Sequence, residues 1–134
     1  MEYVTDTHAP LWHLYLPARL GNAARAVFVA ADQGAAKIHV PVLVVAEVLM
    51  VVQRGRLPGV TLAQLLPHLE AMRESDNYLL SSLAPRTVLD SHRVTAIPDI
   101  FDRLIVADAI ERGIPLLSRD AIITASGLVP IVWD

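Results

Sequence analysis

The 134-residue sequence contains no cysteine. That removes disulfides, thiolate metal sites and thiol nucleophiles from consideration together. It has a single lysine, Lys37. Phosphotransfer receivers and small phosphatases that pair an early aspartate with a lysine at a later strand end are therefore poorly served. No apolar run is long enough to cross a bilayer. The most apolar stretch, Ile38 to Val52, is interrupted by His39, Pro41 and Glu47. The opening MEYVTDTH has neither the basic start nor the apolar run of a secretory leader. No repeat, low-complexity tract or Pro/Gly linker divides the chain. The expectation is one cytoplasmic domain over residues 1–134, with no membrane association.

What is present is apolar residue in quantity, 54% of the chain, with positive mean hydropathy. Disorder is excluded on that composition. The net charge of −3 speaks against binding nucleic acid by bulk positive charge alone. Ten of the eleven basic residues are arginine, however, and arginine's planar fork suits phosphate. Several arginines adjoin the acids discussed below, as in Asp102-Arg103 and Arg119-Asp120.

Patterning predicts a strand from Met1 to Thr7, a helix over Ala18 to Gly34 and a second strand over Lys37 to Pro41. Leu43 to Gln53 is too long for a typical strand and reads as a buried helix. Further helices are expected over Thr61–Glu74, Pro85–Thr95 and from an Asp99 cap to Arg112, closed by Gly113. Strands are expected over Tyr78–Leu83, Ile114–Ser118 and Val129–Trp133, with a brief helical turn between the last two. Alternating short apolar strands and helices imply a mostly parallel sheet covered on both faces. Ligands of such sheets sit beyond the strands' carboxyl ends. Asp6 and Asp120 fall there.

Four acids lie in apolar contexts: Asp6 (YVTDTH), Glu47 (VVAEVL), Asp102 (IFDRLIVADA) and Asp120 (LLSRDA). Burying an unpaired carboxylate costs several kcal/mol. Two such charges about 4 Å apart repel by roughly 4 kcal/mol at an effective dielectric near 20. A cluster of them calls for a cation, and hard oxygen donors without cysteine favour Mg²⁺ or Mn²⁺. Each acid also has a plainer role open to it. Asp6 and Asp120 suit helix caps or turns, Glu47 a buried ion pair, and Asp102 the positive end of a helix dipole. Asp99 either caps its helix or shares the site. Asp108, six residues beyond Asp102, is expected to face outward. Leu62 to Met72 fits core packing or an interface.

These residues resemble the PIN-domain family, and more closely the VapC-type toxin ribonucleases of toxin–antitoxin pairs. The resemblance is carried by YVTDTHAPLWHL, VPVLVVAEVLMVVQRGRL and IPDIFDRLIVADAIERGIPLLSRDAII followed by VPIVW. It implies a three-layer α/β/α sandwich and a metal-dependent endoribonuclease acting on RNA. It implies Asp6, Glu47, Asp102 and Asp120 as the acids holding Mg²⁺ or Mn²⁺, with Ser118 and Thr7 in support. His8 matches the DTH form of the first motif, as a structural or rim residue or else a metal ligand or base. Arg103, Arg119, Arg54 and Arg56 are candidate RNA contacts or plain surface residues. A cognate antitoxin is the implied protein partner, and the apolar composition accommodates a homodimer. Two positions depart from the family pattern. Val44 stands where serine is common, and Asp108 where a small residue or threonine is common. Two other readings remain: a non-catalytic binding module of the same fold, and a nuclease acting on DNA.

Overall fold

The computed structural model describes residues 1–134. Five strands, β1 (Glu2–Thr5), β2 (Lys37–Pro41), β3 (Tyr78–Ser81), β4 (Leu116–Leu117) and β5 (Ile131–Val132), form one sheet in the order β3-β2-β1-β4-β5. Every pairing is parallel. Seven helices connect them: α1 (His8–Tyr15), α2 (Asn22–Asp32), α3 (Val42–Gln53), α4 (Leu62–Glu74), α5 (Pro85–Asp90), α6 (Ile100–Arg112) and α7 (Ala121–Ser126). The result is the expected α/β/α sandwich, with a sheet that is entirely parallel. No helix is long and apolar enough to cross a membrane.

Chain order explains where a site belongs. From β1 the chain steps to β2 and β3 on one side, then returns to place β4 and β5 on the other. The reversal falls between β1 and β4, which lie side by side with Val4 opposite Leu116 and Thr5 opposite Leu117. A crevice opens at such a switch point, beyond the carboxyl ends of the two strands. Asp6 follows β1 directly, and its amide donates to the Leu117 carbonyl at 3.1 Å.

The core is aliphatic. Val4, Ile38, Val44, Leu65, Ile105, Leu116 and Leu117 are each fully buried. Helix α3 contributes Val44, Val48 and Val52, spaced four residues apart along one face, so its nearly unbroken apolar sequence still has a packed side. Helix α4 is opened by a reciprocal cap in which Thr61 and Gln64 each bond the other's backbone amide. It buries Leu65 and Met72, so its apolar face serves the core. Helix α6 starts on the Asp99 carboxylate and ends on Gly113 in the left-handed conformation, as the sequence predicts.

Several boundaries differ from expectation. Helix α1, over His8–Tyr15, was not expected at all: its helical moment is weak and two aromatic residues and a proline obscure the period. The helix predicted from Ala18 starts only at Asn22, because Gly21 is extended (ψ 158°) and packs where a Cβ would lie 2.2 Å from the Trp133 carbonyl. The predicted helix over Pro85–Thr95 ends at Asp90 and continues as a short 3-10 turn to Arg93. The last two strands have only two residues each, so their flanking residues are loop.

Asp108 is not outward-facing. It is 3% exposed and receives both Arg112 Nε contacts at 3.1 Å. The rotation away from Asp102 is real, but it carries position 108 into the packed side of α6. Arg112, four residues on, supplies the counter-charge that burial demands.

Candidate active site

Four chain segments deliver one acid each to a pocket of about 350 Å³. It is lined by Asp6, Thr7, His8, Trp12, Glu47, Asp102, Arg119 and Asp120. Asp6 comes from the end of β1, Glu47 from the second turn of α3, Asp102 from the first turn of α6 and Asp120 from the loop after β4. The sequence-predicted acids are thus brought together from positions up to 114 residues apart in the chain (120 − 6).

Local hydrogen bonds orient these side chains. One oxygen of Asp6 accepts the Ala9 amide at 3.0 Å at the start of α1. One oxygen of Asp120 accepts the Ile123 amide at 2.9 Å and caps α7. Each uses a single carboxylate oxygen on its helix, so the capping role and a pocket role coexist. Thr7, buried, donates its hydroxyl to Glu47 Oε1 at 2.8 Å. Ser118, also buried, accepts the Asp120 amide at 3.1 Å and so shapes the loop bearing that acid. Asp99 caps α6 by accepting the amides of Phe101 and Asp102. It does not line the pocket, though its charge bears on both Asp102 and Glu47.

The electrostatics are unfavourable as they stand. Burial pushes Asp102 up to about 7, and Asp99, Asp120, Glu47 and Asp6 add to the rise. Burial likewise raises Asp6, against the opposing pull of Ser118 and the Ala9 amide. Glu47 is raised by burial too, opposed by the hydrogen bond from Thr7. None of the four acids is in an ion pair. The carboxylates ring the pocket without closing on a point, and no three His, Asp or Glu side chains form a preassembled metal cage. The donor set consists of hard oxygens held by buried supports, none of them ion-paired to a side chain of the protein. It fits a divalent cation such as Mg²⁺ or Mn²⁺.

Of the arginines, Arg119 alone lines the pocket, exposed and free of any ion pair. Arg103 donates instead to the Ile97 carbonyl. Arg54 and Arg56 lie just past α3 and are exposed away from the pocket lining. Trp12 was missed by sequence reading. It stands one helical turn after His8 on α1, and with α1 unrecognised there was no signal to place it beside the acids.

Fold and pocket together define an α/β protein with an acidic crevice at the switch point of a parallel sheet. The chain belongs to the PIN-domain family, whose model matches residues 3–125. No curated protein matches it in sequence. Among solved structures it is similar to VapBC2 from Rickettsia felis bound to a DNA fragment from its promoter, at 12% identity and TM-score 0.69 over 100% of both chains. It is equally similar in TM-score, 0.69, to VapC20 of Mycobacterium tuberculosis, a sarcin-ricin loop cleaving toxin, at 14% identity over 100% of both chains. FitAcB from Neisseria gonorrhoeae matches at 12% identity and TM-score 0.65, over 97% of this chain and 96% of that one. At these identities the structural likeness speaks to the fold.

Proposed function

We propose that this single domain is a metal-dependent endoribonuclease, the toxin of a toxin–antitoxin pair working in the cytoplasm. The observation that carries the reading is the convergence of four acids, none with a cationic partner, on one crevice at the sheet's switch point. Asp6, Glu47, Asp102 and Asp120 would hold Mg²⁺ or Mn²⁺. When bound, such an ion supplies Lewis-acid polarisation of a phosphate oxygen and lowers the pKa of water.

The protein's own groups do the positioning. Thr7 holds Glu47, and the Ala9 and Ile123 amides hold Asp6 and Asp120 at the pocket wall. Arg119, free of ion pairs at the rim, supplies a cation for a phosphate flanking the scissile one. His8, exposed beside Asp6 and Glu47, serves as a rim residue. The similarity to a sarcin-ricin loop cleaving toxin supports RNA as the substrate, and the VapBC and FitAB neighbours support an antitoxin partner. Exposed apolar side chains such as Leu89 and Ile110 give a homodimer surface to work with.

The direct test is cleavage of a pool of labelled structured RNAs with Mg²⁺ or Mn²⁺, against EDTA and an Asp6→Asn variant. Discrete products that vanish in both controls are expected. Metal binding without cleavage of any RNA, by a chain whose fold is intact, would move the assignment to a binding module. DNA in place of RNA in the same assay tests the second substrate.

A further inference from the structure

Beside the acid pocket lies a larger groove of about 1010 Å³, bounded by α2, the β4–α7 segment and the C-terminal strand β5 with its following residues. Arg119 borders both cavities. So does an aromatic pair: Trp12 lines the acid pocket, Trp133 lines the groove, and their rings meet edge to face with centroids 5.8 Å apart. The Arg119 guanidinium lies 5.8 Å from the Trp12 ring centroid. These contacts join the pocket and groove into one continuous surface.

We infer that this groove is a nucleobase subsite, in which Trp133 offers a stacking surface to the base next to the cleaved linkage and Arg119 holds the phosphate between base and acids. The inference rests on the nuclease reading above and adds to it a place for the neighbouring base and a positioning role for Trp133 and Arg119. Three features support the occupant. Most of the groove's lining is apolar, among it Ala23, Ala125, Ile131 and Val132, which suits a flat base better than a second phosphate. Its charged members are Arg119 and Asp134, so it offers no basic track for a backbone. An aromatic face with an adjoining arginine is the combination that binds single-stranded bases by stacking while tolerating sequence. A paired nucleotide keeps its base in the helix and cannot use such a groove.

Trp133 suits substitution because its backbone has a separate structural task. Its carbonyl accepts the Ala24 amide at 3.0 Å without using the indole, whereas Gly21 lies against both that carbonyl and the edge of the ring at Cδ1, a contact that a phenyl ring keeps in part.

The chain's two tryptophans are Trp12 and Trp133, so fluorescence excited selectively at tryptophan, to the red of tyrosine absorption, reports this region. The experiment titrates the full chain, carrying Asp102→Asn to prevent turnover, with a hexamer of oligoadenylate and with an abasic hexamer of equal charge. The base-bearing oligomer is expected to quench the tryptophans and to bind about five- to a hundredfold more tightly, the range for stacking one base. Trp133→Leu should erase that difference and Trp133→Phe should restore most of it. Equal binding of the two oligomers overturns the inference and leaves the groove to a protein segment; an absence of quenching by either also overturns it. Should Trp133→Leu fail to fold, the comparison of the two hexamers on the Asp102→Asn chain still decides. RNA cleavage by the unsubstituted chain is scored separately. Cleavage with base-indifferent binding sinks the subsite alone, whereas base-dependent quenching without cleavage by any RNA sinks the nuclease reading and spares the subsite.

Discussion

Two groups of charged side chains in this molecule use the same residue types to opposite ends. In one, the buried Asp108 is matched by Arg112, whose Nη1 reaches His39 Nδ1 at 3.2 Å, and His39 Nε2 meets Glu2 Oε1 at 2.7 Å. Because arginine only donates, Nδ1 must accept, which assigns the Nε2–H to the Glu2 contact in a neutral ring. Here each buried charge has a partner within the chain, and Glu2 is held below its ordinary range by the hydrogen bond from His39. In the other group, Asp6, Glu47 and Asp102 are all raised, by burial first and by neighbouring acids as well. None of them is ion-paired within the chain. A buried acid is therefore not in itself a functional signal; a buried acid left without its cation is.

The comparison can be broken at several points. The largest effect is expected at Asp6→Asn, which should lower RNA cleavage by about a hundredfold or more, since even supports around metal ligands are worth 10–100-fold. Its melting temperature should hold or rise, because one of several repelling charges is gone. A melting temperature that falls along with activity would place Asp6 among the structural acids.

Asp108→Ala makes the converse case. It strands Arg112, which is 28% exposed, beside the buried face of α6. A cost of roughly 2–3 kcal/mol is expected, below the full range for a buried pair because of that exposure. The measurement is the denaturant midpoint, with cleavage per folded molecule unchanged. Thr7→Val is intermediate. It removes the hydroxyl that orients Glu47 and should cost about tenfold in cleavage, with little change in stability. If cleavage is unaffected, the Thr7–Glu47 bond serves folding only.

The smallest effect is a slope against pH in the absence of divalent ions. A carboxyl raised in the folded state binds its proton more tightly there than in the unfolded chain. Its stabilisation is complete below the ordinary aspartate range and is lost as pH climbs through about 7 for Asp102. Melting temperature should therefore decline from pH 5 to pH 8, and Asp102→Asn should flatten the decline. Added Mg²⁺ should raise it more at pH 8 than at pH 5, where protons compete for the same oxygens. Glu2, shifted the other way, contributes stability that is lost only as pH falls into the acid range. A flat profile between pH 5 and 8 would show that the pocket acids are better solvated than their burial implies.

Much of the fold was legible in order and type. Strand β2, helices α3, α4 and α6 and their caps follow from apolar runs, Thr61, Asp99 and Gly113, which act on their own neighbours. Helix α1 was not legible, because its stability comes from burying Ala9, Pro10 and Leu11 under the rest of the chain and not from a periodic pattern. At the pocket the four acids stood out against their apolar neighbours in the chain, while Trp12, one apolar residue among many, did not.

The sequence by itself determined the acid inventory, the strand–helix alternation and the absence of thiol chemistry, since these depend on residue type and local spacing. The tertiary structure alone decided which charges found partners. Asp108 and Asp102 lie six residues apart on one helix, yet one meets an arginine and the other meets acids from three distant segments. That outcome depends on which face of α6 the sheet covers, and a long-range contact of this kind leaves no mark on the residues next in line.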